Sequence, residues 1–248
     1  MKEQIWKLLK EVVINVLFAI AIFAVVVGVL YFLGLVVYKA GSLINKYLPL
    51  EIAAGIIGSA YVLTIKNPNN YLGLILGIVT SILLAIQFFF EGFKDQTILY
   101  CIVFIPCQIL TLVKWISASK GTSKDSQYAV PSFMKLRGLL LGLLIFIVIM
   151  GLDLFFLQKD IVLATIMSAC VVAASTEANF LMIRKYTDAW FYWVAFSIFG
   201  LVQMICIQNY VTLTLYVLYT LINGSACIAW CKQTPKEKYG WVRLISGK

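Results

Sequence analysis

The chain has 248 residues, 62% of them hydrophobic and 12% charged, with a mean hydropathy of +0.95 and a formal charge of +9. A soluble domain carries about 25% charged residues, so this composition excludes a soluble globular protein and defines an integral membrane protein. The basic residues gather in loops and tails, where membrane topology rather than nucleic acid accounts for them, and the absence of histidine removes imidazole proton relays, metal ligands and catalytic pairs.

A helix needs about 20 apolar residues to cross the hydrocarbon core. Apolar runs predict eight spans, at 12–37, 51–66, 70–90, 96–117, 138–157, 161–183, 188–207 and 210–231. The first run is too long for the apolar region of a signal peptide, and no small-residue cleavage pattern follows it. The second is short, but Glu51 and Lys66-Asn67-Pro68 fence it. The polar, basic stretch 118–137 is a solvated linker between the fourth and fifth spans. With both termini cytoplasmic, all of the 20 Lys and Arg except Lys39, Lys46, Lys94 and Lys159 fall on the inner side. An odd number of spans would scramble that asymmetry.

Polar and aromatic residues recur in order along two stretches. Gln108 precedes Trp115 by seven residues, as Asn223 precedes Trp230. Gln87 lies thirteen before Tyr100, and Gln203 thirteen before Tyr216. The offset slips near Pro106. Three spans (51–117) thus recur as three spans (161–231), with 138–157 as a connecting helix, which predicts parallel repeats of the 3+1+3 kind found in transporters. The expected organisation is an all-α membrane protein: an N-terminal tail and extra helix (1–50), a transporter core (51–231) and a cytoplasmic tail (232–248).

Polar side chains inside apolar spans need partners or water, so they mark candidate sites. Gln108 and Asn223 sit mid-span at matching repeat positions, which suits either interhelical hydrogen bonding or a shared central cavity. On the last span Tyr216, Tyr219, Asn223, Ala226 and Trp230 follow one helical face. Phe104, Gln108, Thr111 and Trp115 form a parallel strip on the fourth. Trp115 and Trp230, at inner helix ends, read as interfacial belt residues. Trp190, Trp193 and Ser197 share a face of the seventh span, and Trp193 is the deeper stacking surface for a planar or cationic ring. Asn179 and Glu177 come near the inner end of the sixth span. Glu177 could pair with Arg184 or face a cationic substrate, whereas Asp153 reaches interfacial water. The six cysteines lie in or at the ends of apolar spans and form no CxxC pair, as expected of buried free thiols. No nucleotide loop, zinc helix, serine elbow or metal cluster is present, so neither an enzyme nor an ATP-driven pump is expected, and no cofactor.

The run Asn179-Phe-Leu-Met-Ile-Arg184-Lys185, followed by Trp190-x-x-Trp193, resembles the membrane signature of the PnuC family of vitamin transporters. The polar residue seven before a tryptophan (Gln108–Trp115, Asn223–Trp230) is similar to the family pattern as well, and the likeness covers about residues 51 to 231. Three departures stand out: Leu112-Val113-Lys114 before Trp115 where many members have Gly-Trp, Ser197 where Asp or Asn is common, and Asn70-Tyr71 in place of a Trp/Pro-rich start to the third span. The resemblance implies a fold like that of the sugar-transporting SWEET proteins, in a bacterial inner membrane, with possible assembly into homo-oligomers. It also implies import of nicotinamide riboside by facilitated diffusion, trapped by a cytoplasmic kinase. Trp190 and Trp193 would form an aromatic wall, with Gln108, Asn179 and Asn223 hydrogen-bonding ribose or carboxamide. Thiamine, riboflavin and deoxynucleosides stand as alternative substrates, and a non-transporting sensor or partner subunit as an alternative role.

Overall fold

The computed structural model describes residues 2–32, 43–91, 94–120, 137–155, 162–206 and 210–234. The long apolar runs are helical, as hydrocarbon requires of backbone groups that have no water to bond. The helices are α1 (Lys2–Phe32), α2 (Leu43–Ile65), α3 (Gly73–Glu91), α4 (Lys94–Leu99), α5 (Ile105–Ser119), α6 (Arg137–Phe155), α7 (Leu163–Ile183), α8 (Ala189–Cys206) and α9 (Tyr210–Gln233). A π-helical turn, Tyr100–Phe104, joins α4 to α5 without a break, so the described residues form eight continuous helices, the expected number. Among the described residues, five stretches are long and apolar enough to cross a membrane: Ile5–Val26, Gly73–Phe90, Gln96–Ser119, Leu163–Ile183 and Ala189–Cys206. Shorter apolar stretches, Ile52–Ile65 and Leu140–Leu152, lie in α2 and α6.

The π turn has a local cause. Pro106 lacks an N–H, and its ring would press on the carbonyl four residues back in a regular helix. Widening the preceding turn relieves that clash, and the amide of Ile105 donates to the Tyr100 carbonyl, a π-type bond. The slip in sequence register near Pro106 falls at this turn.

The chain divides into two compact units, Met1–Leu112 and Val113–Lys248. In the first, α1 packs on α2 and α2 on α3. Polar bonds hold α1 in place. The Glu11 carboxylate accepts from Asn67 Nδ2 at 3.2 Å and Asn70 Nδ2 at 3.0 Å, and Asn15 Nδ2 donates to Thr64 Oγ1 at 3.1 Å. Between these bonds and the far end of the helix, Phe23 lies so close to Gly55 that any Cβ there would overlap its ring. The remaining face of α1 exposes Leu17, Phe18, Val25 and Phe32, as a lipid-facing helix must.

In the second unit α7 is central, packed on α6 and α8, while α8 also packs on α9. Every residue from Val172 to Asn179 is buried, so α7 has no lipid face over two turns. Ala169, Ala173, Ala174, Ser175 and Ala178 keep its neighbours close. Its C-terminus closes with paired backbone bonds, Tyr186 N to Leu181 O at 3.1 Å and Lys185 N to Met182 O at 3.0 Å. This closure needs a left-handed residue after the cap, usually Gly, and here Lys185 takes it with φ of 54°. Contacts beyond the turn hold it there. Lys185 Nζ sits 4.6 Å above the Trp115 ring, and Trp115 Nε1 donates to the Met182 carbonyl at 3.2 Å.

Candidate substrate site

The second unit carries two groups of aromatic rings. The first gathers Trp115, Trp230 and Trp190, with ring centroids 5.9 Å apart for Trp115–Trp230 and 5.7 Å for Trp190–Trp230. All three are fully buried, so Trp115 and Trp230 are core residues and not members of an interfacial belt. The reason is Lys185, which caps Trp115 from above, with Met182 holding its indole nitrogen. Beside them Thr187 and Thr234 hydroxyls hydrogen-bond at 2.6 Å, tying the start of α8 to the end of α9.

The second group is a row across α8 and α9. Trp193 meets Phe196 edge-on at 5.5 Å, Phe196 meets Tyr216 at 5.5 Å, and Tyr216 meets Tyr219 edge-on at 6.4 Å. Gly200 permits it, because a Cβ there would overlap the Tyr216 ring. Phe196 is the link that sequence reasoning missed, although its i, i+3 spacing from Trp193 on a common helical face was the available signal.

Polar groups stand beside this row. Asn223 Nδ2 donates to Ser197 Oγ at 2.7 Å and to the Trp193 carbonyl at 3.1 Å, and Ser197 Oγ donates to the same carbonyl at 2.8 Å. The amide nitrogen is thereby fixed to α8. Asn223 Oδ1 and Trp193 Nε1 are buried and meet no hydrogen-bond partner. Each unmet group costs about 1–3 kcal/mol in a dry interior, so the pair favours a ligand or water that offers a donor and an acceptor.

The remaining expected residues divide between other places. Trp190 joins Trp230 rather than the Trp193 row, and its Nε1 is also unmet. Asn179 Nδ2 donates within its own helix, to Ser175 O at 2.8 Å. Gln108 and Thr111 belong to the first unit. There Gln108 Oε1 accepts from Ser81 Oγ at 3.0 Å and Thr111 Oγ1 donates to Cys107 O at 2.6 Å, both between or within helices. Among the described residues neither carboxyl oxygen of Glu177 has a hydrogen-bond partner, Arg184 included. Glu177 lies two positions from Asn179, about 200° around the helix, so the two polar residues leave α7 on nearly opposite faces. The side chains of Asp153 and Glu51, the 121–136 part of the linker and the tail from 235 lie outside the described residues. All six cysteines are free, and no cluster of metal-ligating side chains occurs among the described residues.

An all-helical membrane protein with a half-buried aromatic row and a buried amide between two of its helices is the class these features define. The sequence profile of the nicotinamide mononucleotide transporter family matches residues 48–232, and the chain belongs to that family. Its fold is similar to that in the crystal structure of the vitamin B3 transporter PnuC, with a TM-score of 0.62, 19% identity and 92% of each chain covered. No curated protein sequence matched the chain.

Proposed function

We propose that the protein imports nicotinamide riboside, with the Trp193–Phe196–Tyr216–Tyr219 row and the Asn223–Ser197 pair forming its binding wall in the second unit. The observation that carries this reading is the unmet pair of Trp193 Nε1 and Asn223 Oδ1 beside an aromatic row. A carboxamide supplies an acceptor for the indole N–H and a donor for the amide oxygen. A pyridinium ring stacks on an aromatic face as a cation, a contact worth about 0.5–2 kcal/mol. The Lys185 ammonium is engaged with Trp115 rather than with this row, which favours an uncharged or cationic ligand over a phosphorylated one.

On this reading the cycle is facilitated diffusion, and phosphorylation by a cytoplasmic kinase keeps the riboside inside. The charge distribution of the loops supports two cytoplasmic termini in a bacterial inner membrane, and the two triplets, 51–117 and 161–231, with 138–157 between them, are the proposed repeats. Trp190 and Asn179, in the same unit, are proposed as further contacts, each requiring release from the bonding or packing described above. Binding of the riboside, followed by intrinsic tryptophan fluorescence, tests the site. Trp193→Ala and Asn223→Ala should each weaken it roughly fivefold to a hundredfold, the range of one lost buried polar or stacking contact. Unchanged affinity in both variants would remove the assignment.

A further inference from the structure

Glu177 has no role in the site described above, and its burial is costly. It has 0% exposure in the middle of the buried stretch of α7, and neither carboxyl oxygen is met. An unpaired buried carboxylate is far more expensive than an unpaired amide, so something must neutralise it. Its surroundings define which occupant fits. A Cβ placed on Gly142 of α6 would lie 3.7 Å from Glu177 Cγ and 3.8 Å from the hydroxyl of Tyr192 on α8. The same Cβ would stand 3.3 Å from Tyr192 Cε1, so the glycine lets α6 close onto the Glu177 and Tyr192 side chains.

Among the described side chains, the titratable and charged groups placed around Glu177 supply no positive charge. From α8 comes Tyr192, within electrostatic reach of Glu177, and just before α8 comes Asp188, within reach of Tyr192. α6 contributes Gly142, with Arg137 five residues before it in sequence and Asp153 eleven after. On α7 itself the next basic residues, Arg184 and Lys185, stand beyond its C-terminus. Arg184 makes no bond to Glu177, and Lys185 is committed to Trp115. An alkali ion needs several oxygen ligands, and the groups on this face offer one carboxyl and one phenol. A proton needs a single oxygen.

We propose that Glu177 is a proton-binding site, separate from the Trp193–Asn223 pair, whose occupancy sets transport activity. The reaction is a simple exchange, in which the carboxyl binds one proton from water and returns it, with no other bond made or broken. Coupling to transport runs through α8, which carries Tyr192 against Glu177 and Trp193, the next residue, in the aromatic row. A bare carboxylate would push against Tyr192 and shift the helix that positions Trp193. The transport consequence rests on the function proposed above, whereas the proton site does not.

Two measurements separate these. Infrared difference spectroscopy of the full-length protein, titrated between about pH 5 and 9, should show a carboxylic acid band that Glu177→Gln removes. Riboside uptake with equal pH on both sides should fall at high pH, by up to about tenfold per unit, the limit for one proton. Glu177→Gln should hold uptake flat at the low-pH level. If that variant does not fold, Tyr192→Phe should shift the band's titration midpoint. Absence of any Glu177-dependent acid band, or a band that responds to sodium at fixed pH, overturns the proton site. A band with identical uptake profiles in wild type and Glu177→Gln overturns its control of transport. Absence of riboside uptake at any pH would count against the transport reading and leave the infrared result standing.

Discussion

Asn223 shows how one side chain can be both fixed and available. Its nitrogen is bound by Ser197 and the Trp193 carbonyl, which leaves the oxygen unmet at a set position. Asn223→Asp keeps the shape and exchanges the fixing donor for a second acceptor. It should lose riboside binding in a fluorescence titration while the protein stays folded; retained affinity would show that the amide nitrogen's bonds do not position the site. Lys185 makes a separate prediction. Burial pushes its ammonium down to about 8. An exposed lysine in the unfolded chain titrates about two units higher, so above the folded value the unfolded chain holds more protons and stability rises with pH. The melting temperature of the wild type should therefore gain on that of Lys185→Met between about pH 8 and pH 10. A constant gap would mean that Lys185 is solvated in the folded protein. The residue types at these positions were legible in the sequence. Which of their atoms are satisfied was not, because partner choice depends on rotamers and on helices far apart in the chain.

At the scale of elements, apolar length identified the helices and misplaced some of their ends. α1 begins at Lys2 rather than near residue 12, because Lys-Glu-Gln-Ile-Trp-Lys-Leu-Leu-Lys-Glu is a strong helix former whatever its hydropathy. α2 begins at Leu43 and passes through Pro49, although only Ile52–Ile65 is continuously apolar. Hydropathy reports the hydrocarbon depth of a helix and not its hydrogen-bonded length. The π turn was invisible for the same reason, since Tyr100–Phe104 has no compositional mark beyond the proline that follows it. Close approaches were equally hidden. Gly200→Ala should displace Tyr216 and separate α8 from α9, costing about 1–3 kcal/mol of stability, together with riboside affinity. A variant with wild-type melting and binding would show that the row tolerates a methyl group. On α1, Glu11→Ala removes the acceptor of Asn67 and Asn70 and should lower the melting temperature by a few degrees, as for about 1–2 kcal/mol in a protein of this size. No change in melting would make α1 an appendage rather than part of the first unit.

At the scale of the whole molecule, composition and the Asn179-to-Trp193 motif were sufficient for the family, because lipid permits few folds and the motif concentrates polar and aromatic residues where hydrocarbon disfavours them. The candidate site was only partly legible. Spacing found Trp193, Ser197, Asn223, Tyr216 and Tyr219, which the structure brings together on α8 and α9. Spacing also grouped Glu177 with Asn179, which helical geometry sends to opposite faces. Trp190 was paired with Trp193 by its i, i+3 position, yet packs on Trp230 because three tryptophans converge where α5 and α9 end and α8 begins. The central claim is passive carriage of an unphosphorylated riboside. Its most direct test is uptake of labelled nicotinamide riboside into proteoliposomes made with the purified protein, without ATP and with proton and sodium gradients dissipated. Saturable uptake, competed by unlabelled riboside but not by the mononucleotide, is the predicted result. Uptake that collapses when either gradient is dissipated, or that the mononucleotide competes equally well, would contradict it.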